Sequence, residues 1–267
     1  MFNKYNKLLS LILFMSLDIL VVENGYAKSA EDFGREIIQE VSDRDNGFGD
    51  MSSEVTMVLK DSDGNARARS LKVRSLEVKN NGEKRLFSFN FPKDIKGTTI
   101  LNYGHIIEED DQWIYLPAFK RVKRISSSNK SGAFVSSEFS YEDLTSMEVD
   151  KYLHRYLGDA EIQSLDCFKV ELTPAYKNSG YSQLVAFIDK QDYLIRKIDF
   201  YDLNNKFLKT LMLNSYERYK NSYWRPHLTI MTNHQTGNIT EMKWTDIHLQ
   251  TGLSSSDFDR NALKRYR

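Results

Sequence analysis

Residues 83–144 decide the fold: EKRLFSFNFP (83–92), GTTILNYG (97–104), QWIYLP (112–117), KRVKR (120–124) and SGAFVSSEFSYEDL (131–144). Phe87, Phe89 and Phe91 share one parity, so a strand places all three rings on one face. Trp113 and Tyr115 repeat the arrangement, and the expectation is a sheet with five large rings on one side. Such a face needs an apolar cover, which is a second layer, helices or a ligand.

Outward from this block the same alternation recurs. Upstream, residues 54–60 and 66–79 read as strands, with Asp63-Gly64 and Asn81-Gly82 as hairpin signals. Downstream, the spacing predicts strands at 159–174, 181–189, 194–201, 207–219, 224–233 and 238–249. A helix is expected over residues 29–41. Ser29 is its N-cap candidate with Asp32 three residues on, and Phe33, Ile37 and Val41 repeat at spacings of four. Residues 126–132 are small and polar, a flexible loop. Residues 141–157, with Leu144, Met147, Tyr152, Leu153 and Tyr156, read as one or two short helices, and 256–265 as a short capped helix with Phe258 and Leu263 inward. The class is α+β, mainly β. About ten or eleven antiparallel strands follow one another as a meander, and such a sheet either closes or curls around a core.

The chain has 267 residues with 37 basic and 37 acidic side chains, so nothing in its charge points to nucleic acid. The first 27 residues read as a secretory signal. Lys4 and Lys7 open it, an apolar run at 8–22 interrupted by Asp18 follows, and Gly25-Tyr26-Ala27 offers small residues for cleavage. An uncleaved anchor is the alternative. Cleavage leaves residues 28–267, with no Pro/Gly/Ser-rich linker to divide them, so one domain is expected. The single cysteine, Cys167, excludes an internal disulfide and reads as a structural thiol. Export without an anchor points to the periplasm of a Gram-negative bacterium.

Signals for catalysis are thin. His105, His154, His227, His234 and His248 lack metal-ligand spacing, and no nucleophile elbow, phosphate loop or dinucleotide fingerprint is present. No catalytic, metal or cofactor residue is nominated. The aromatic inventory, 15 Phe, 15 Tyr and 3 Trp, is the positive signal. Each ring taken singly reads as core filling. Together Phe87, Phe89, Phe91, Trp113, Tyr115, Phe134, Phe139 and Tyr141 are candidates to line an apolar cavity, because a curled sheet of this size encloses more than its own side chains fill. An acyl chain gains about 0.8 kcal/mol per methylene on entering such a space. Arg121, Lys123 and Arg124 read either as a solvated strand edge or as contacts to anionic head groups or an acidic partner. Arg121 and Lys123 face opposite to Arg124 in a strand.

The stretches FPKDIKGTTIL (91–101), DDQWIYLPAFKRVKRISSSNKSGAFVSSEFSYEDL (110–144) and RKIDFYD (196–202) resemble the outer-membrane lipoprotein-sorting protein family, the LolA-like carriers. Val135 and Ser136 stand where that family often has Met-Gly. The resemblance implies the curled form: an open β-barrel whose concave face is covered by helices, with an apolar cavity between. It further implies a periplasmic carrier for acyl chains of a lipoprotein or lipid, without cofactor, working beside an inner-membrane transporter, often an RND-type exporter. Residues 29–41 and 141–157 are the lid candidates, and 131–144 a mobile lip at the mouth. A scaffold on an export complex and a lipid-modifying hydrolase are the competing readings.

Overall fold

The computed structural model describes residues 28–265. The expected export signal, residues 1–27, lies outside the described residues. Ser29 caps helix α1 (Ala30–Asp45), its hydroxyl accepting the Asp32 N–H at 3.0 Å. The helix runs four residues past Val41, where Gln39 bonds to Asp43 and Arg44 to Glu40 along its wet side. Gly47, at φ +94°, then turns the chain away.

Thirteen antiparallel strands form one sheet. They are β1 (Asp50–Lys60), β2 (Ala66–Leu76), β3 (Lys84–Phe91), β4 (Thr99–Tyr103), β5 (Asp111–Leu116), β6 (Arg121–Ile125), β7 (Tyr152–Ile162), β8 (Leu165–Pro174), β9 (Tyr181–Asp189), β10 (Ile195–Asp202), β11 (Phe207–Tyr219), β12 (Tyr223–Asn233) and β13 (Ile239–Leu249). The order is β6-β5-β4-β3-β2-β1-β13-β12-β11-β10-β9-β8-β7. Two meanders, β1–β6 and β7–β13, are therefore stitched by the β1–β13 pair, and β6 and β7 are the two free edges. The sheet curls without closing, an open form and not a closed barrel.

The chain has to travel from one free edge to the other, and residues 126–151 make that journey across the inner face. Short 3-10 turns punctuate it at Phe134–Ser136, Glu142–Leu144 and Val149–Lys151. The expected helices at 141–157 are thus two such turns followed by an edge strand. Tyr152 and Tyr156 point inward from β7 while Leu153 is exposed, and the two sets together mimic helical spacing. The expected long strand at 159–174 is split into β7 and β8 by Gln163 and Ser164, both left-handed (φ 51° and 65°) without the Asn-Gly signature such turns normally carry.

Register fixes the faces. Val73, Phe87, Ile100 and Ile114 pair in a row across β2–β5 and point inward. Leu86, Leu101 and Trp113 form the neighbouring row, pointing outward. The main core lies between the inner face, α1 and residues 134–149. On α1, Gly34 is required: a Cβ there would sit 2.8 Å from the Tyr156 backbone nitrogen, so β7 and the helix touch backbone to backbone. Cys167 is buried with Val185 and Phe187 in a small outer cluster.

Candidate lipid-binding interior

The inner face carries four of the nominated rings as one aromatic knot. Phe134 is fully buried, 5.6 Å from both Phe87 and Phe89 and 6.0 Å from Tyr141 (centroid distances). Phe139 joins the same core, with Leu144 and Val149 behind it. Phe91 leaves the inner face: a bulge after Phe89 pairs it with Ser70, opposite in parity to the inward Leu71, so it turns outward past the end of the β3–β4 ladder and is 54% exposed. Trp113 and Tyr115 correct the expectation of five rings on one side. They occupy the outer face with Leu86 and Leu101, beneath Phe258 and Leu263. Alternation within one strand fixes relative faces only there; Trp113 lies opposite Leu101 and therefore follows Leu86, not Phe87.

The ring-lined interior expected to stand open is filled, in this conformation, by the side chains of residues 134–149. The reason is elementary: a bare apolar face in water loses about 25 cal/mol per Å². Residues 126–151, the connection between the sheet's edges, are therefore a plug. Two clefts flank the covering elements. One of about 620 Å³ lies between α1, the β2–β3 turn and residues 148–150; another of about 320 Å³ runs along α1 beside Phe33, Ile37 and Tyr193.

Beside this apolar seating the plug is fastened by buried polar groups, which sequence reasoning missed. Lys209 on β11 and Asp143 on the plug form an ion pair at 2.6 Å with side chains only 5% and 3% exposed. Lys209 also donates to the Glu138 carbonyl at 2.9 Å and lies 5.3 Å from the ring centroids of Tyr181 and Phe200. Tyr181 donates to the other Asp143 oxygen at 2.7 Å. Burial, reinforced by Asp143, holds the Tyr181 hydroxyl far above the ordinary phenol range, so it stays a donor. Glu142 accepts from Tyr176 at 2.5 Å, Ser179 at 2.6 Å and the Gly180 N–H at 2.8 Å, which pins the plug to the β8–β9 loop. Burial raises its carboxyl against the lowering effect of those donors. Gln112 donates to the Tyr141 carbonyl at 2.7 Å, and the buried pair Lys151–Asp110 closes the far end. The signal that could have found Lys209 is its parity with Leu211, a charge on the apolar side of its strand.

At its tip the plug is strained. Val135 (φ 46°, ψ 50°) and Ser136 (φ 59°) are both left-handed, a conformation that costs about 1–2 kcal/mol per non-glycine residue. Arg69 holds the Val135 carbonyl from β2. Under α1, His154 is buried with its Nε2 unpartnered, and burial together with Arg35 depresses it to about 4.

The remaining nominated residues lie on the edge strand. Arg121 and Lys123 carry inward parity, opposite Leu116 and Ile114, while Arg124 points outward and pairs with Asp111.

The fold is shared by known proteins. A family model with the description "uncharacterized protein" matches residues 81–265. The chain is similar to a domain from Vibrio parahaemolyticus described as an outer-membrane lipoprotein-sorting protein domain, at 47% identity and a TM-score of 0.86, covering 88% of this chain and 100% of that one. A DUF1329 family protein from Desulfovibrio piger ATCC 29098 is 28% identical with a TM-score of 0.84 and the same coverage. A LolA superfamily protein from Nitrosomonas europaea shares the fold at 18% identity, with a TM-score of 0.70 and again the same coverage. No curated protein matches.

Proposed function

The chain belongs to the outer-membrane lipoprotein-sorting protein family and has its LolA-like fold, and from that premise we propose that it is a periplasmic carrier that binds acyl chains in place of its own plug. The observation that carries this reading is the composition of the inner core: the aromatic face of β3 is covered by residues 134–149, whose apolar side chains are fastened by buried polar groups. It is a binding reading, with no chemical step assigned to any residue.

Magnitudes suggest which cargo opens it. Withdrawing Phe134, Phe139, Leu144 and Val149 from the core costs on the order of 6–12 kcal/mol, at about 1.5–3 kcal/mol for each side chain. An acyl chain of about 15 methylenes returns roughly 12 kcal/mol. One tail therefore about balances the plug, and a lipid with two or three tails displaces it. The strain at Val135 and Ser136 is released on opening and lowers the threshold further. Direction of travel, towards the outer membrane, and hand-over from an inner-membrane RND-type exporter rest on the family resemblance alone. Among the described residues, no helix is long and apolar enough to cross a membrane.

The test is mass spectrometry of organic extracts from protein purified out of its native compartment, with uptake of a fluorescent acyl probe by the stripped protein. Near-stoichiometric lipid and saturable uptake are expected. Absence of both co-purifying lipid and probe uptake would remove the carrier reading.

A further inference from the structure

The basic edge and the exposed rings fall together at one end of the sheet. Ser88, Thr99 and Tyr115 lie side by side across β3, β4 and β5. Phe91 is three residues past Ser88 and Phe119 four past Tyr115, so both project beyond the same end of the ladder. Their strands are separated only by β4, roughly 10 Å at the usual strand spacing. Phe91 is 54% and Phe119 66% exposed. Around them the two loops and the start of β6 expose Lys93, Lys96, Lys120, Arg121 and Lys123 against a single carboxylate, Asp94. The chain as a whole is neutral, so this excess is local. Lys123 lies 5.9 Å from the Phe119 ring centroid, which places charge and ring on the same rim. Arg121 and Lys123 have inward parity, and Arg69, inward on β2 opposite Met57, reaches the strained plug tip at Val135.

We infer that this rim is a docking surface for an anionic lipid bilayer, which presents the mouth of the interior to the membrane from which or to which cargo moves. Two solvated rings, one at the end of β3 and one in the β5–β6 turn, flanked by lysines and arginines match an interface in which the rings enter the head-group region and the cations meet phosphates. An acidic protein would account for the cations alone and leaves the projecting rings in water. The inference deepens the carrier reading and shares its premise, but its test reads a different event.

The experiment is vesicle flotation of the purified protein with phosphatidylglycerol–phosphatidylethanolamine vesicles and with phosphatidylcholine vesicles, across salt concentrations. Binding to the anionic vesicles at least tenfold above the neutral ones, falling as salt rises, is expected. Each removed cation weakens binding about fivefold, so Lys120→Gln/Arg121→Gln/Lys123→Gln loses about a hundredfold. Phe91→Ser/Phe119→Ser loses about tenfold while the salt dependence persists. These side chains are exposed, and an unchanged thermal midpoint certifies the fold of each variant. Equal binding to both vesicle types, no binding, or a charge variant that binds like the parent overturns the rim; so does a ring variant without effect, the signature of electrostatic adsorption without insertion. Absent flotation with intact acyl-probe uptake refutes the rim alone. Flotation without uptake refutes the carrier reading alone.

Discussion

Strands β3–β5 are covered on both faces, and the two covers are built differently. The outer one, residues 254–265, seats Phe258 and Leu263 against Trp113 and Tyr115. Its hydrogen bonds to the sheet come from neutral donors, Thr99 to the Leu263 carbonyl at 2.9 Å and Tyr103 to the Phe258 carbonyl at 2.6 Å, after a capping box at Ser254 and Asp257, and the charge it lays over the sheet, Arg260 at 5.5 Å from the Trp113 ring centroid, stays exposed to solvent. The inner one seats Phe134, Phe139, Leu144 and Val149, and is fastened by desolvated charges, Lys209–Asp143 and Lys151–Asp110, and by Glu142. Apolar seating with neutral bonds is stable by default. A buried ion pair sits near balance, because the attraction of the charges only about repays their dehydration. On the proposed carrier reading, the first cover is a permanent wall and the second a closure that a competing apolar ligand displaces.

The contrast breaks most visibly at Lys209. Lys209→Met leaves the Asp143 carboxylate buried without its cation and is expected to lower stability by about 3–5 kcal/mol in urea unfolding. Lys209→Met/Asp143→Leu recovers most of that loss, and absence of recovery would show that the pair is not the fastening. Truncating one ring in each cover sharpens the difference. Phe134→Ala and Phe258→Ala each lose about 3–5 kcal/mol through the cavity left behind, but only Phe134→Ala changes acyl-probe affinity. Equal shifts in probe affinity would erase the distinction between the faces.

Acid probes the inner cover through α1. His154 is depressed to about 4 from 6.5, so its neutral form is the stable one. Its contribution is present above about pH 6.5 and is lost as pH falls through 4. The full loss is about 3 kcal/mol at 1.36 kcal/mol per pH unit, and His154→Leu should flatten that part of the stability-against-pH curve. Glu142 has the opposite sign: its raised carboxyl makes its latch firmest in acid and weaker as pH rises through its folded value. The smallest effect sits at the plug tip. Ser136→Gly relieves a left-handed strain at an exposed position and is expected to gain about 0.5–1 kcal/mol, with a matching drop in probe affinity.

Much of this frame was legible in the sequence because it rests on local rules. The Ser29 cap, the strand at Phe207–Tyr219 and the inward Phe258 and Leu263 follow from capping chemistry and period-two alternation. The opposite faces of Phe87 and Trp113 were not, since they depend on which residue of β4 lies between them. The β7–β8 hairpin was hidden because Gln163 and Ser164 adopt a turn usually signed by Asn and Gly. The plug's fastening was hidden for a different reason. Lys209, Asp143 and Tyr181 are distant in sequence, and a lysine in an alternating strand normally faces water.

Hydrogen exchange with and without bound lipid tests the displaced closure most directly. The amides of Phe134, Ser137 and Glu142 are bonded within the plug to the carbonyls of Phe139, Phe134 and Lys130, at 2.7, 3.0 and 2.9 Å. Loading with a two-tailed lipid is predicted to deprotect these amides while that of Asp257, in the outer cover, keeps its rate. Stoichiometric lipid with undiminished protection across residues 130–151 would contradict the account.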